Sequence, residues 1–290
     1  IAFRPVLQAV FSWRYTCGAS ASCLAEGGGA SRVAFMTKHS QQSVSPDNDR
    51  GVQPGIFDPR DVPVWQEATD NVHRQIAVPW DRLSVPALQQ RFAEPPNWEQ
   101  ELRREQYPQE HSPRDAAVLI GLQPWQLPEV TAPTSGLRVV LTQRTPHLRS
   151  HGGQIAFPGG KIDDDDHDAV AAALREAHEE VGVPSDGVEV LGQLPLYVTG
   201  TGYHVTPVVA VLPPALQFDP NPFEVDEVFT VPLDFLMDPQ HHRMHQWQPA
   251  HNHRREWFSM PYYDLQAGRE RYIWGVTAGI LRNLYRFLAA

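Results

Sequence analysis

Three glutamates within five residues carry the strongest chemical signal in this sequence. Glu176, Glu179 and Glu180 stand in the segment REAHEEVGV at 175–183. On a helix, positions three and four residues apart share a face, so the three carboxylates would lie side by side. Like charges at this spacing repel, and all-oxygen ligands favour Mg²⁺ or Mn²⁺ over zinc. The spacing therefore indicates a bound cation, although a solvated acidic helix face is the alternative that these residues alone leave open.

The segment around these glutamates has the marks of a helix. An alanine-rich run of good helix formers occupies 169–174, and one of the aspartates between 165 and 168 can cap its start. Gly182 and Pro184 supply a stop at the other end. Before the helix, the strand-like run 154–157 ends in a pair of glycines, which let the backbone approach a ligand closely. A strand, a glycine turn and an acid-bearing helix together predict a metal site.

The residues just before the helix have the opposite charge. The chain has 290 residues and a net charge of −10, yet the stretch from Leu137 to Lys161 contains no Asp or Glu. Its basic residues are Arg138, Arg144, His147, Arg149, His151 and Lys161. Guanidinium groups match phosphate oxygens bidentately. A phosphate-binding segment thus precedes the predicted metal-binding segment.

The two halves together resemble a known family. Residues 160–183 are similar to the Nudix box, G-x5-E-x7-R-E-U-x-E-E-x-G-U, where U is a bulky aliphatic residue. Counting back from Arg175, the box Glu falls on His167 and the box Gly on Lys161. Gly160 fits when one extra residue is placed in the Asp-rich turn, where a neighbouring Asp can stand in for the Glu.

A second signature narrows the resemblance to a subfamily. The sequence LTQRT at 141–145, followed by Arg149, Gly153 and FPGG at 157–160, resembles L-T-x-R-[ST]-x3-R-x3-G-x3-F-P-G-G of the coenzyme A diphosphatases. The likeness extends from about residue 114 to the C-terminus. It implies an α+β Nudix fold, with a mixed β-sheet sandwiched between α-helices. It also implies hydrolysis of coenzyme A, and of acyl-CoA as a further candidate, to 3′,5′-ADP and 4′-phosphopantetheine.

The resemblance also implies roles for individual residues. The metal ligands would be Glu176, Glu179, Glu180 and a backbone carbonyl at Gly159 or Gly160, with Arg175 orienting a carboxylate. Candidate substrate-binding residues are Arg144, Arg149, Gly153, Phe157 and Lys161. The base that activates water would be a box Glu or an acid on a later loop, and Glu224 is the best later candidate. Its alternative reading is a solvated loop acid.

Two other functions stay open from the sequence. The box recognises a diphosphate and not the rest of the molecule, so NADH or ADP-ribose could be the substrate. A noncatalytic nucleotide sensor is the second alternative. The intact glutamates count against a sensor, because a binding protein has less need of crowded metal carboxylates.

Composition predicts how the chain is organised. Residues 1–80 have little core material and are expected to form a disordered extension, and 81–113 a short helical lead-in to a domain at 114–290. The first 35 residues contain three Arg, a single acid and the run Gly27–Gly29, and they precede Met36, which is a candidate natural start if residues 1–35 come from an overextended reading frame; an organelle presequence is the rival interpretation. Both cysteines, Cys17 and Cys23, lie in this part.

The rest of the composition limits where the protein can be located in the cell and what it can bind. Without residues 1–35 no cysteine is left for a disulfide, so we expect a cytoplasmic protein. No apolar run has the roughly 18 residues of a membrane span, which excludes a membrane partner. A pI near 5.7 argues against broad nucleic-acid binding, and the expected partner is a small molecule. The sequence leaves a homodimer open.

Periodicity predicts the other elements. Helices are expected at 85–92 and 98–105 and strands at 116–122, 137–142, 188–194 and 203–212. Apolar residues at helical spacing from Ile273 to Phe287 predict a C-terminal amphipathic helix. The histidines between His241 and His253 are expected to lie in a solvated loop rather than bind zinc, since they lack a cysteine or carboxylate partner pattern.

Overall fold

The computed structural model describes residues 58–101, 113–125, 136–147, 152–248 and 254–290. A mixed sheet lies at its centre. Its main path runs in the order β3 (Ile155–Ala156), β2 (Leu137–Arg144), β1 (Arg114–Pro124), β7 (Tyr203–Val211) and β5 (Glu189–Gln193). Off this path, β4 (Gly159–Lys161) pairs with β1, β6 (Tyr197–Val198) with β7, and β8 (Val225–Pro232) with β2. Only the β1–β7 pair is parallel among these described pairings.

A smaller antiparallel sheet and five helices complete the described elements. The sheet contains β9 (Arg243–Trp247), β10 (Arg255–Asp264) and β11 (Arg269–Trp274). The helices are α1 (Gln66–His73), α2 (Val85–Ala93), α3 (Ala169–Val181), α4 (Leu233–Leu236) and α5 (Gly275–Ala289). Single 3₁₀ turns lie at Pro59–Asp61, Trp80–Leu83 and Pro239–His241. No helix in the described part of the chain has the length and apolar character that crossing a bilayer requires.

Helices cover both faces of the central sheet because its strands are apolar on both sides. Along β1, Ala117 and Leu119 join one apolar cluster, while Ile120 and Leu122 join the other. The first cluster includes the small α3 residues Ala172, Ala173 and Ala177, which let that helix approach the sheet closely. The second includes Ile280, Leu281 and Leu284 of α5. The predicted α+β fold, with a mixed sheet between helices, is confirmed.

Most predicted elements are present, and two boundaries are wrong. The helix at 85–92 and the four strands agree with α2, β1, β2, β5 and β7. Residues 98–101 are not helical, because Trp98 packs edge-on against Phe287 of α5 at 5.6 Å and the Glu101 amide donates to Asn283 Oδ1 at 2.9 Å. At the other end, Ile273 belongs to β11, since the C-terminal helix begins only at Gly275.

Folded structure starts earlier in the chain than the composition predicted. Within the proposed extension 1–80, the described residues include α1, whose Val72 is buried in the main core together with Val78. These apolar residues stay out of water by packing against the domain, which the local composition did not indicate. Met36, Cys17 and Cys23 lie outside the described residues, so the predictions about them stay predictions.

The histidine segment is also corrected. His242 and His245 are buried, and each hydrogen-bonds a backbone carbonyl: His242 Nε2 to Leu236 O at 2.8 Å and His245 Nδ1 to Val62 O at 3.0 Å. They stand in a turn and in β9 rather than in a solvated loop. His251 and His253 lie outside the described residues.

Candidate active site

Helix α3 has the capping that its sequence predicts. The Asp168 side chain accepts a hydrogen bond from the Ala171 amide at 2.9 Å, which satisfies one of the free N–H groups at the start. Gly182 ends the helix with a left-handed conformation, φ 71°. Between these caps the helix presents Glu176, Glu179 and Glu180 near the glycine turn of β4.

Glu180 is the most deeply buried of these acids. Its side chain is 3% exposed, Oε1 accepts from Arg144 Nη1 at 3.2 Å, and Oε2 accepts from the Gly159 amide at 3.1 Å. Burial raises the pKa of Glu180 to about 7; the two donors oppose that rise, and the carboxylates of Glu224 and Glu176 add to it. Burial is therefore the main reason that the pKa of Glu180 is raised, and the neighbouring carboxylates contribute less.

Glu176 lies directly against the glycine turn. A Cβ atom built at Gly160 would stand 2.5 Å from the carboxyl carbon of Glu176, so only glycine leaves room for this approach. Burial raises the pKa of Glu176, Arg175 opposes the rise, and Glu179 and Glu224 contribute to it. The predicted proximity of the glycine turn to the acid-bearing helix is thus present in the structure.

Arg175 connects the Asp-rich turn to helix α3 through hydrogen bonds. Its Nε and Nη2 donate to both carboxylate oxygens of Asp166 at 2.9 and 2.8 Å, and its Nη1 donates to Glu176 and Glu179 at 3.1 and 3.2 Å. The hydrogen bonds from Arg175 lower the pKa of Asp166 to about 2. His167, which aligns with the Glu of the box, has a side chain that is 93% exposed. The extra residue in the turn therefore leaves Asp166, and not His167, paired with Arg175.

A distant loop brings a fourth carboxylate to the cluster. The Thr145 amide donates to Glu224 O at 3.0 Å, and the Asn221 amide donates to Glu180 O at 2.9 Å. These bonds tie the loop to the end of β2 and to the end of α3. Glu224 lies close enough to Glu176 and Glu180 to raise the pKa of both. Sequence reasoning selected Glu224, but it gave no role to Thr145, although Thr145 belongs to the signature at 141–145, and it missed Asn221, which belongs to no motif.

The predicted substrate-binding residues differ in their exposure and in whether they reach the acid cluster. Arg144 reaches the acid cluster, and Gly153 occupies a turn with φ 74° whose amide donates to Arg144 O at 3.0 Å. Lys161 has an exposed side chain, and its carbonyl accepts from Arg175 Nη2 at 3.2 Å. Phe157 is 3% exposed and belongs to the main apolar core, so its predicted contact with substrate stays a prediction. Arg149 lies outside the described residues.

The donor set suits a hard divalent cation. Within the described ranges, no three His, Cys, Asp or Glu side chains already converge as a metal shell. The carboxylates already have other partners. Glu179, which is 55% exposed, forms an ion pair with Arg175, and Glu180 accepts hydrogen bonds from Arg144 and from the Gly159 amide. Glu224 nevertheless contributes to the raised pKa of Glu176 and of Glu180, and a bound cation would offset this repulsion.

Comparison with known proteins assigns the chain to a class. A model of the NUDIX domain matches residues 130–261. The Nudix hydrolase NudL of Escherichia coli is 46% identical over 172 residues, which cover 59% of this chain and 81% of the relative. The protein of the same name in Shigella boydii is 45% identical over 172 residues, with the same coverage. Identity and coverage of this extent define an enzyme that hydrolyses pyrophosphate bonds. The chain belongs to the Nudix hydrolases, a family that generally uses divalent metal ions and acts on small molecules.

Solved structures give weaker likenesses. A Nudix hydrolase of M. smegmatis, RenU, shares 27% identity with a TM-score of 0.35, covering 43% of this chain and 73% of the other. A C. elegans Ap4A hydrolase in a binary complex shares 20% identity with a TM-score of 0.33, covering 44% and 85%. The family assignment rests on the sequence relatives and not on these structures.

Proposed function

We propose that this Nudix hydrolase cleaves the diphosphate of coenzyme A into 3′,5′-ADP and 4′-phosphopantetheine, using Mg²⁺ or Mn²⁺. The observation that supports this substrate is the position of the described parts of the signature at 141–160. At the end of β2, Arg144 contacts Glu180, and Glu176 lies against the glycine turn at Gly160. The motif that resembles coenzyme A diphosphatases is therefore part of the same site as the metal-binding carboxylates.

Each residue of the site would have a distinct task. A cation held by Glu176, Glu179, Glu180 and the Gly160 carbonyl would neutralise charge on nonbridging phosphate oxygens. Arg144 is 23% exposed and donates to Glu180 through Nη1, so the rest of its five-donor guanidinium is suited to a phosphate oxygen. Arg175 would hold Glu176 and Glu179 in position through Nη1, while Asp166 fixes the guanidinium of Arg175.

We assign the removal of a proton from the attacking water to Glu224. Glu224 lies on a loop and not on α3, so it can accept a proton while the glutamates of α3 remain bound to the metal ion. We expect Glu224→Gln to lower kcat by about 10²- to 10⁴-fold, the usual contribution of a general base. Mg²⁺ affinity, measured by titration calorimetry, should change little. Near-normal turnover would remove Glu224 as the base, and a large loss of Mg²⁺ affinity would make it a ligand instead.

A product assay tests the substrate. Coenzyme A, acetyl-CoA, NADH and ADP-ribose are each incubated with the protein under Mg²⁺ and under Mn²⁺, and the products are separated by chromatography. We expect the highest kcat/KM for coenzyme A or its acyl form. Preferred cleavage of NADH or ADP-ribose would replace the proposed substrate. Tight binding of one compound with no cleavage of any would indicate a sensor.

A further inference from the structure

An exposed aromatic ring stands at the edge of the acid cluster. Phe223 is 77% exposed and directly precedes Glu224. Single apolar residues on a surface are common and need no explanation by themselves. This one differs because its backbone is fixed on both sides to the candidate active site.

Hydrogen bonds hold the Phe223 backbone in place. Its amide donates to Asn221 Oδ1 at 3.1 Å, and its carbonyl accepts from Thr145 Oγ1 at 3.2 Å. The neighbouring bonds, from the Asn221 amide to Glu180 O and from the Thr145 amide to Glu224 O, attach the same loop to α3 and β2. The ring is therefore presented to solvent from a rigid base, at low entropic cost for a ligand that uses it.

The other groups of the site recognise phosphate and metal only. Carboxylates bind the cation, guanidinium groups bind phosphate oxygens, and the glycine turn gives room for the backbone. None of these assigned groups offers a face to a nucleobase. In an adenine nucleotide the base is joined to the phosphates through a single ribose, so it lies within reach of a ring beside the cluster.

We propose that Phe223 is the surface on which the adenine base of the substrate stacks, and so a specificity-determining residue. This inference rests on the proposed function, because it needs a substrate whose diphosphate carries an adenine nucleoside. Loss of base stacking on an aromatic side chain by alanine substitution weakens binding about 5- to 150-fold. The flexible pantetheine arm has no π-face and would gain much less from a planar ring.

The test is a steady-state comparison of Phe223→Ala with Phe223→Tyr and Phe223→Trp on coenzyme A. We expect alanine to raise KM about tenfold, within the range that stacking allows, with kcat changed little. Tyrosine and tryptophan should keep KM near the wild-type value because they keep the aromatic face. The matched control is Ile76→Ala, which removes a similarly exposed apolar side chain, 83% exposed, from the segment that follows α1 and should leave both constants unchanged.

Product inhibition identifies the part of the substrate that contacts the ring. The Phe223→Ala change should raise the inhibition constant of 3′,5′-ADP about tenfold and leave that of 4′-phosphopantetheine unchanged. The reverse result would move the ring to the pantetheine half and overturn base stacking. An unchanged KM in Phe223→Ala, with wild type cleaving coenzyme A, would overturn this inference and leave the proposed function standing. If wild type cleaves none of the adenine diphosphates, both proposals fall.

Discussion

Among the described regions that bury charged side chains, two treat the charge in opposite ways. In the acid cluster on α3, Glu180 is 2% exposed; burial raises its pKa, and the nearby carboxylates of Glu224 and Glu176 add to the rise. On α5, Arg282 is 1% exposed and donates to Glu101 at 2.7 Å and to Gln75 at 2.5 Å.

The Arg282 cluster, defined as Arg282 with Glu101, Gln75 and His242, balances its charge internally. Arg282 Nη1 donates to His242 Nδ1 at 3.2 Å, so the proton of His242 is on Nε2, which donates to Leu236 O. Charge that is matched by partners inside the protein holds segments together. Charge that is left in excess, as on α3, is available to a ligand. The comparison predicts that changes on α3 alter activity and that changes in the Arg282 cluster alter stability.

The largest effect is expected on α3. Glu179→Gln should lower kcat by about 10²- to 10³-fold, as losses of electrostatic transition-state groups do. The free energy of unfolding should stay within about 0.5 kcal/mol, because Glu179 is 55% exposed and removing its charge also relieves repulsion. Steady-state kinetics and urea unfolding measure the two quantities. Retained activity would contradict the metal-site assignment.

The complementary change is Arg282→Met in the Arg282 cluster. We expect the free energy of unfolding to fall by about 3 kcal/mol, because breaking a buried ion pair leaves its partners without the guanidinium. In the folded protein kcat should equal that of wild type, since the buried side chain of Arg282 on α5 contacts Glu101, Gln75 and His242 and not the acid cluster. A loss of kcat at a temperature where the variant is folded would contradict the prediction that the Arg282 cluster affects stability and not activity.

The pH dependence of stability gives a third comparison. Burial, followed by the charge of Arg282 and weaker effects of His241 and His73, lowers the pKa of His242 from 6.5 to about 3. The unfolded chain therefore takes up a proton on this residue below about pH 6.5 and the folded chain does not, so stability falls as the pH falls from 6.5 towards 3. The contribution approaches about 1.4 kcal/mol per pH unit in that window.

A matched variant isolates this contribution. His242→Gln keeps a side-chain amide of similar reach but has no group that titrates in this range. We expect the free energy of unfolding of wild type to decrease more steeply with acid than that of the variant, measured by urea unfolding at several pH values. Equal slopes would show that His242 is not the neutral partner of Arg282.

The smallest effect is expected in the Asp-rich turn. His167→Glu restores the residue type of the box but should change kcat/KM by no more than about twofold, since the side chain is 93% exposed and Asp166 already pairs with Arg175. Asp166→Asn is the control and should lower kcat/KM clearly. A large gain from His167→Glu would mean that the turn rearranges and that Asp166 is not the working partner of Arg175.

The sequence determined the part of the site that is local in the chain. The spacing of Glu176, Glu179 and Glu180 decides which face they share, and Asp168 and Gly182 decide where their helix begins and ends. The short apolar runs at 116–122 and 137–142 likewise predicted β1 and β2 within two residues of their ends. These features follow from the 3.6-residue period of a helix and from the short apolar runs of buried strands, which neighbours in sequence are enough to set.

Tertiary structure alone decided which distant residues meet. The position of Glu224 beside α3 depends on the pairing of β8 with β2, and the burial of Phe157 depends on its place between β3 and β4. The Arg282 cluster joins residues 75, 101, 242 and 282. The sequence predicted four unrelated segments for them: residue 75 in the extension, 101 in the lead-in, 242 in a loop and 282 in the C-terminal helix. Strand register and helix packing bring such segments together, and no local period in the sequence records them.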